Sequence, residues 1–220
     1  CMNHTGYHSL CVLLTKAFLE GQDPYRGQIC DEWLDVPGAT DGLIALTGGP
    51  KGRLSQLIDT GSERQAGGIV GRWKKLFPNR LYIELQRANR PKDENQNAFL
   101  VTVASRFDVP VVATHPVQFL EPQDFEAHEV RCCIAGGFTI TDPRRDKSYT
   151  REQYLKSEEQ MCELFKDVPS ALANSVIIAK RCNLDGVLSK PQLPLFPTPD
   201  GMSLDDYMDH LSREGLEKRL

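Results

Sequence analysis

Three short segments carry the residue types that could do chemistry, and each closes an apolar run of strand length. Thr47-Gly48-Gly49-Pro50-Lys51 follows Gly42-Leu43-Ile44-Ala45-Leu46, Glu84 to Arg87 ends the run that begins at Leu81, and Thr114-His115-Pro116-Val117-Gln118 ends the run that begins at Pro110. In parallel α/β folds ligands bind at the carboxyl ends of strands, so these are the places to inspect. The first segment suggests a phosphate cradle of backbone N–H groups and a lysine. It lacks the Gly-x-x-x-x-Gly-Lys-Ser/Thr spacing that aims both at one polyphosphate, and a strand-to-helix turn calls for glycine in any case. Glu84 and His115 are metal-ligand types, but a catalytic zinc or manganese centre needs three or more convergent ligands. Pro116 and Gln118 add none.

Elsewhere the candidates are thinner. His128 lies in a helical pattern beside Glu129 rather than on one face with it, and His4, His8 and His210 show no ligand spacing. No Ser/His/Asp or Cys/His set suggests itself. Arg131, Arg144, Arg145, Lys147 and Arg151 form the one basic cluster, which could meet phosphates through a salt-sensitive contact or form a solvated loop balanced by Asp142 and Asp146. Read from its residues alone, the chain receives no catalytic, cofactor-binding or metal residue.

The elements that must position these segments alternate. A helix is expected over Tyr7–Phe18, with Leu10, Leu13, Leu14 and Ala17 on one face. Helices are expected from near Arg53 and from near Ser62, the latter carrying Ile69, Val70, Trp73 and Leu76. Another should run from Asp93 to Phe107 with Ala98, Val101, Ala104 and Phe107 inward, and one should be capped by Asp124. Apolar strand runs alternating with such helices indicate a parallel sheet covered by helices. Beyond, Thr150-x-x-Gln153 and Ser157-x-x-Gln160 fit the capping-box pattern. Pro169 suits the first turn of a helix whose stripe is Leu172, Ala173, Val176, Ile177 and Ala179. Pro191, Pro194, Pro197 and Pro199 mark an extended linker, and Ser203 caps a final helix.

With 220 residues, 40% hydrophobic and 25% charged, the chain can bury a sizeable core. Its net charge of −4 gives no whole-chain electrostatic footprint for nucleic acid. No apolar stretch approaches the ~20 residues of a bilayer span. Seven scattered cysteines without a Cys-x-x-Cys argue against a disulfide framework and suit a reducing cytoplasm. A start on Cys1 and a stop within a helical pattern read as an excerpt of a longer protein.

Several stretches resemble the family of catalytic alpha subunits of bacterial DNA polymerase III. They are Asn3-x-x-Gly6-Tyr7-x-x-Leu10, Gly42-Leu43-Ile44-x-Leu46-Thr47-Gly48-Gly49, Leu81 to Arg87, Pro110 to Thr114, Asp124-Phe125-x-Ala127-His128-Glu129-Val130-Arg131 and Ala173-Asn174-x-x-x-Ile178-Ala179-Lys180-Arg181-Cys182. Leu193-Pro194-x-Phe196-Pro197-Thr198 and Glu214-Gly215-Leu216 complete a collinear series. The resemblance implies most of a PHP (polymerase and histidinol phosphatase) domain over 1–188, a Pro-rich linker over 189–202, and the start of the polymerase palm over 203–220. The implied fold is an incomplete, distorted (β/α)7 barrel.

Metal-binding relatives place a histidine a few residues after the Glu84 strand position, where this chain has Ala88. They place Asp-x-His where it has Pro116-Val117-Gln118. The resemblance therefore implies a degenerate PHP domain without metal, acting as a scaffold that docks the proofreading exonuclease subunit. It also implies a cytoplasmic parent polymerase whose Mg2+-binding aspartates, primed-template contacts and other replicase subunits involve regions outside this segment. The competing expectation is a free-standing metal-dependent phosphoesterase of the PHP superfamily.

Overall fold

Asn3 opens the first helix: its side-chain oxygen accepts the Gly6 N–H at 3.0 Å, and α1 runs His4–Leu19. Leu13 and Ala17 of the expected face are buried and Leu10 packs on the core, whereas Leu14 faces outward. The computed structural model describes residues 1–23, 26–60, 63–187 and 194–220. Two residue pairs, Gln22–Asp23 (β1) and Arg26–Gly27 (β2), then make a short antiparallel ribbon.

The apolar run from Gly42 yields a strand of only two residues, β3 (Ala45–Leu46). Its first half has another task. Gly42 sits at φ +68°, and a Cβ on Gly6 would lie 2.0 Å from the Gly42 carbonyl oxygen. Both glycines are required for the start of α1 to meet this segment. The Met2 N–H donates to the same oxygen at 2.7 Å.

The helix expected from near Arg53 is instead a pair of 3-10 turns, Gly49–Lys51 and Ser55–Thr60. Ser55 Oγ donates to the Gly49 carbonyl at 2.7 Å, tightening the first turn and drawing Leu54 fully into the core. Helix α2 (Glu63–Leu76) follows, with Val70 buried and Ile69, Trp73 and Leu76 against the core. The expected start at Ser62 lies outside the described residues.

Strand β4 (Leu81–Gln86) is the centre of a parallel sheet of order β3-β4-β5, with β5 at Val111–Thr114. The register pairs Leu46 with Tyr82, Glu84 with Val112 and Gln86 with Thr114. Strand alternation sends Leu81, Ile83 and Leu85 into the core and Tyr82, Glu84 and Gln86 to the opposite face. The sheet is mixed with helices as the sequence pattern requires.

Helix α3 (Asp93–Phe107) lies between β4 and β5 with the expected bounds, but its buried face is rotated. Asp93, Asn97, Leu100, Val103 and Ala104 are buried, while Ala98 and Val101 are exposed. The buried stripe begins with two polar residues that have dedicated partners, so the apolar positions alone misplace it. Helix α4 (Phe125–Gly136) forms as expected. Asp124 does not cap it; its carboxylate accepts the Glu121 N–H at 3.0 Å, closing the 3-10 turn Pro122–Asp124 ahead of it.

Thr150 and Gln153 likewise make a turn and start no helix. Gln153 Oε1 accepts the Thr150 N–H at 2.9 Å, and the segment then runs alongside Phe119 through a parallel bridge to Tyr154. Ser157 and Gln160 do form a reciprocal box at the head of α5 (Glu158–Leu164). Helix α6 (Pro169–Arg181) starts at its proline, and Asn174 Nδ2 donates to the Val111 carbonyl at 2.8 Å, holding α6 along β5. Its buried contact is Ala171, with Leu172 packed beside it, while Val176 and Ile177 are exposed. The stripe is offset by a turn because α6 meets the core chiefly at its N-terminal end.

These elements belong to one compact unit, Cys1–Leu184; a second unit comprises Asp185–Leu220. In the second, Pro191 lies outside the described residues. Ser203 Oγ accepts the Asp206 N–H at 3.1 Å to cap α7 (Leu204–Glu217), and Tyr207 stacks on Phe196 with ring centroids 6.1 Å apart. All seven cysteines are free thiols. Among the described residues no helix is long and apolar enough to cross a membrane.

Candidate functional site

The three segments singled out by residue type meet at the carboxyl ends of β3, β4 and β5, around the carboxylate of Glu84. That side chain is 8% exposed, so each of its oxygens needs a partner. Oε2 accepts the Gly48 N–H at 3.0 Å. Oε1 accepts from Thr114 Oγ1 at 2.5 Å and Gln86 Nε2 at 2.8 Å. The Glu84 backbone N–H donates to Thr47 Oγ1 at 3.0 Å. The glycine run thus spends an amide on a carboxylate of its own chain. Gly49, at φ +53°, approaches so closely that a Cβ there would lie 2.7 Å from Gln86 Cδ.

Behind this contact runs a polar relay. Gln86 Oε1 accepts from Arg90 Nη2 at 3.2 Å, which orients the amide with its NH2 group toward Glu84. Arg90 Nε is held by Asp93 Oδ1 at 2.9 Å, and Asp93 Oδ2 accepts the N–H groups of Ala88 at 2.7 Å and Arg90 at 3.1 Å. Asn97 Nδ2 donates to the Gln86 carbonyl at 3.0 Å. The head of α3 is therefore pinned to the end of β4 by the same two polar residues that rotated its buried face.

His115 stands one residue past Thr114, and its imidazole is committed elsewhere. Nε2 donates to the Glu152 carbonyl at 2.7 Å, while Nδ1 is buried with no partner among the described residues. Burial pushes its pKa below the ordinary histidine value, opposed by the Glu152 bond and assisted by nearby Lys156. Gln153 Nε2 donates to the Pro116 carbonyl at 3.1 Å, and the Gln118 N–H to the Gln153 carbonyl at 2.8 Å. Thr150 Oγ1 donates to the Ala88 carbonyl at 2.5 Å. The 150–153 turn thus closes over the strand ends.

The basic cluster is partly used up. Arg145 makes a buried ion pair with Glu129 of α4 and donates from Nε to the Ile140 carbonyl at 3.0 Å. Arg144 is held by both oxygens of Asp142, at 3.0 and 2.7 Å, and Arg151 pairs with Glu126. His128 is buried between the rings of Phe119 and Tyr149, at 5.5 and 4.6 Å between centroids, and burial lowers its pKa with help from Arg131. This is a structural histidine.

A PHP domain model matches residues 1–88. The chain is 47% identical over 219 residues to DNA polymerase III subunit alpha of Pseudomonas aeruginosa, aligning along its whole length. It is 44% identical over 218 residues to the protein of that name in Vibrio cholerae and 43% over 218 residues to that in Escherichia coli, 99% of the chain aligning in each case. Along its whole length the chain is similar to one segment of DNA polymerase III alpha subunits. It spans 18 to 19% of the length of these curated relatives.

In alpha-subunit terms the Glu84 site is where the resemblance expects PHP metal ligands, and a divalent cation does not fit the residues present. Three of the carboxylate's roughly four acceptor positions are taken by N–H and O–H donors, whose hydrogens point at the oxygens a cation would take. Ala88 offers a methyl group and Pro116 no donor atom on its side chain; His115 keeps only its unpartnered Nδ1, and one imidazole with one carboxylate falls short of the three ligands a metal centre needs. Among the described residues no three of His, Cys, Asp or Glu are grouped to hold a metal. The strand-end rule selected the segments that hold Thr47, Glu84, Gln86, Thr114 and His115 but assigned no role to Thr47, Gln86 or Thr114, and it missed Asp93 and Asn97, which lie outside those segments. The period-2 spacing of Glu84 and Gln86 on one strand face was the available signal.

Proposed function

We propose that this chain is a structural and docking segment of a replicative DNA polymerase III alpha subunit. In the whole protein, template-directed 5′–3′ DNA synthesis would be carried by regions outside these 220 residues, with Mg2+ and primed template bound there and other replicase subunits attached. The segment itself serves as a metal-free PHP scaffold that receives the proofreading exonuclease subunit. Its sheet is part of a distorted (β/α)7 barrel over 1–188, followed by a linker over 189–202 and the lead-in to the palm over 203–220. The parent works in the cytoplasm.

The observation that carries this reading is the Glu84 carboxylate, held by Gly48, Gln86 and Thr114 where a phosphoesterase would need open ligands. With Glu84 engaged in this way, the use left for the fold is to hold other parts in place.

The test has two arms on the purified chain. Neither hydrolysis of a DNA 3′ end nor primer extension is expected with Mn2+, Zn2+ or Mg2+, and the proofreading exonuclease subunit should bind in calorimetry or co-migrate in gel filtration. Metal-stimulated hydrolysis lost on Glu84→Ala would favour a PHP phosphoesterase instead. Absence of exonuclease binding, in the chain and in the full-length subunit carrying it, would remove the docking role.

A further inference from the structure

A buried carboxylate at the meeting point of three strand ends must be neutralised by something. The usual agents are a cation, a proton or a set of hydrogen-bond donors. Here three donors converge on the carboxylate. Thr114 and Gln86 both reach Oε1, Gly48 reaches Oε2, and Gln86 Nε2 also lies 3.2 Å from Thr114 Oγ1. Glu84 therefore ties β3, through the turn that follows it, to β4 and β5.

Gln86 is the member whose chemistry could be reversed with least change of shape. An amide can present either an acceptor or a donor, and its direction is set by what sits behind it. Arg90 Nη2 takes the oxygen at 3.2 Å, and Asp93 fixes Arg90. The NH2 end is thereby turned on Glu84, and the positive charge of Arg90 is passed forward as the polarity of a neutral amide. We propose that the Arg90-oriented Gln86 amide does the work of a divalent cation, clasping Glu84 to Thr114 across the strand ends and closing the site to metal. This rests on the metal-free reading given above and adds the residue responsible for it.

Gln86→Glu is then the decisive exchange. It keeps the volume and removes the donor, setting two carboxylates against each other 2.8 Å apart at the former contact. Such a pair is satisfied by a cation bridging both. Melting curves of the 220-residue chain would be recorded with EDTA and with Mn2+, beside calorimetric Mn2+ titrations.

The wild type should melt at the same temperature in both media. Gln86→Met, which has neither donor nor charge, should melt lower in both. Gln86→Glu should melt lower in EDTA and regain roughly 3–6 °C in Mn2+ at ten times its Kd, with about one ion bound per chain. A Gln86→Glu chain as stable as wild type in EDTA, or indifferent to Mn2+, overturns the inference while leaving the metal-free scaffold standing. Saturable Mn2+ binding to the wild type overturns the scaffold reading itself.

If either variant fails to fold, NMR of the EDTA-treated wild type decides. The Gln86 side-chain NH2 should exchange slowly with solvent and show a nuclear Overhauser contact to Thr114. Fast exchange with no such contact would contradict the clasp.

Discussion

Arg87 and Asp167 are paired at two points, Nη1 to Oδ1 at 2.6 Å and Nη2 to Oδ2 at 2.8 Å, across 80 positions of sequence. The same guanidinium donates to the Leu164 carbonyl at 2.6 Å, meets Glu94 at 3.1 Å, and lies 5.1 Å from the centre of the Phe165 ring. One side chain at the end of β4 thus holds the α5–α6 junction and the first turn of α3.

Replacing Arg87 should cost stability. Asp167 is half exposed, so its share is screened, but Phe165 is fully buried and the Leu164 carbonyl would lose a charged donor. Arg87→Ala should destabilise by about 1–3 kcal/mol in urea melts, and Arg87→Lys should recover only part, because an ammonium cannot make the two-point contact.

That pair also has a pH signature. The Arg87 hydrogen bonds hold the Asp167 carboxyl below its ordinary value, against the opposing effect of burial. The unfolded chain therefore takes up a proton first as pH falls. The pair's contribution is complete above the unfolded carboxylate value of about 3.9 and is lost as pH drops through the lower folded value. Between wild type and Arg87→Ala, the difference in stability should be steady near neutrality and shrink in that acid window. A difference that grew with acid would refute the assignment.

His115 acts in a higher window with the same sign. Burial favours its neutral form in the fold, so the native state resists protonation that the unfolded chain accepts near pH 6.5. Stability should decline as pH falls below about 6.5, and the ring resonances of His115 should titrate below that value in NMR. A midpoint above it would contradict the buried, carbonyl-bonded imidazole.

Two glycines should respond in opposite directions to alanine. Gly6→Ala would drive a methyl to 2.0 Å from the Gly42 carbonyl, both atoms being fixed by backbone, and should destabilise by about 3 kcal/mol. Gly68 lies inside α2 with nothing within 4 Å of an added Cβ. Gly68→Ala should stabilise by roughly 0.5–1 kcal/mol. Thermal melts of the two variants check both signs.

Much of the architecture was legible in the residues. The bounds of α3, the capping box of α5, the proline at the head of α6 and the three parallel runs all follow from local rules that tertiary contacts did not override. Several of the failures share a cause. The rotated face of α3, the Thr150–Gln153 turn and the 3-10 segment after β3 all depend on polar side chains bonding to backbone groups, some nearby, as Ser55 to Gly49, and some distant, as Thr150 to Ala88. Apolar periodicity carries no record of such bonds. The site was half legible for the same reason: Glu84 stood out by type, whereas Gln86 and Thr114 look like ordinary strand residues until the register sets them side by side.

The decisive property is whether Glu84 is neutralised by donors of its own chain. Electron paramagnetic resonance of free Mn2+ measures this directly, because the aqueous signal falls as the ion binds. With equimolar wild-type chain at tens of micromolar, the signal should keep the amplitude it has in buffer. A stoichiometric loss of amplitude that Glu84→Ala restores would contradict it.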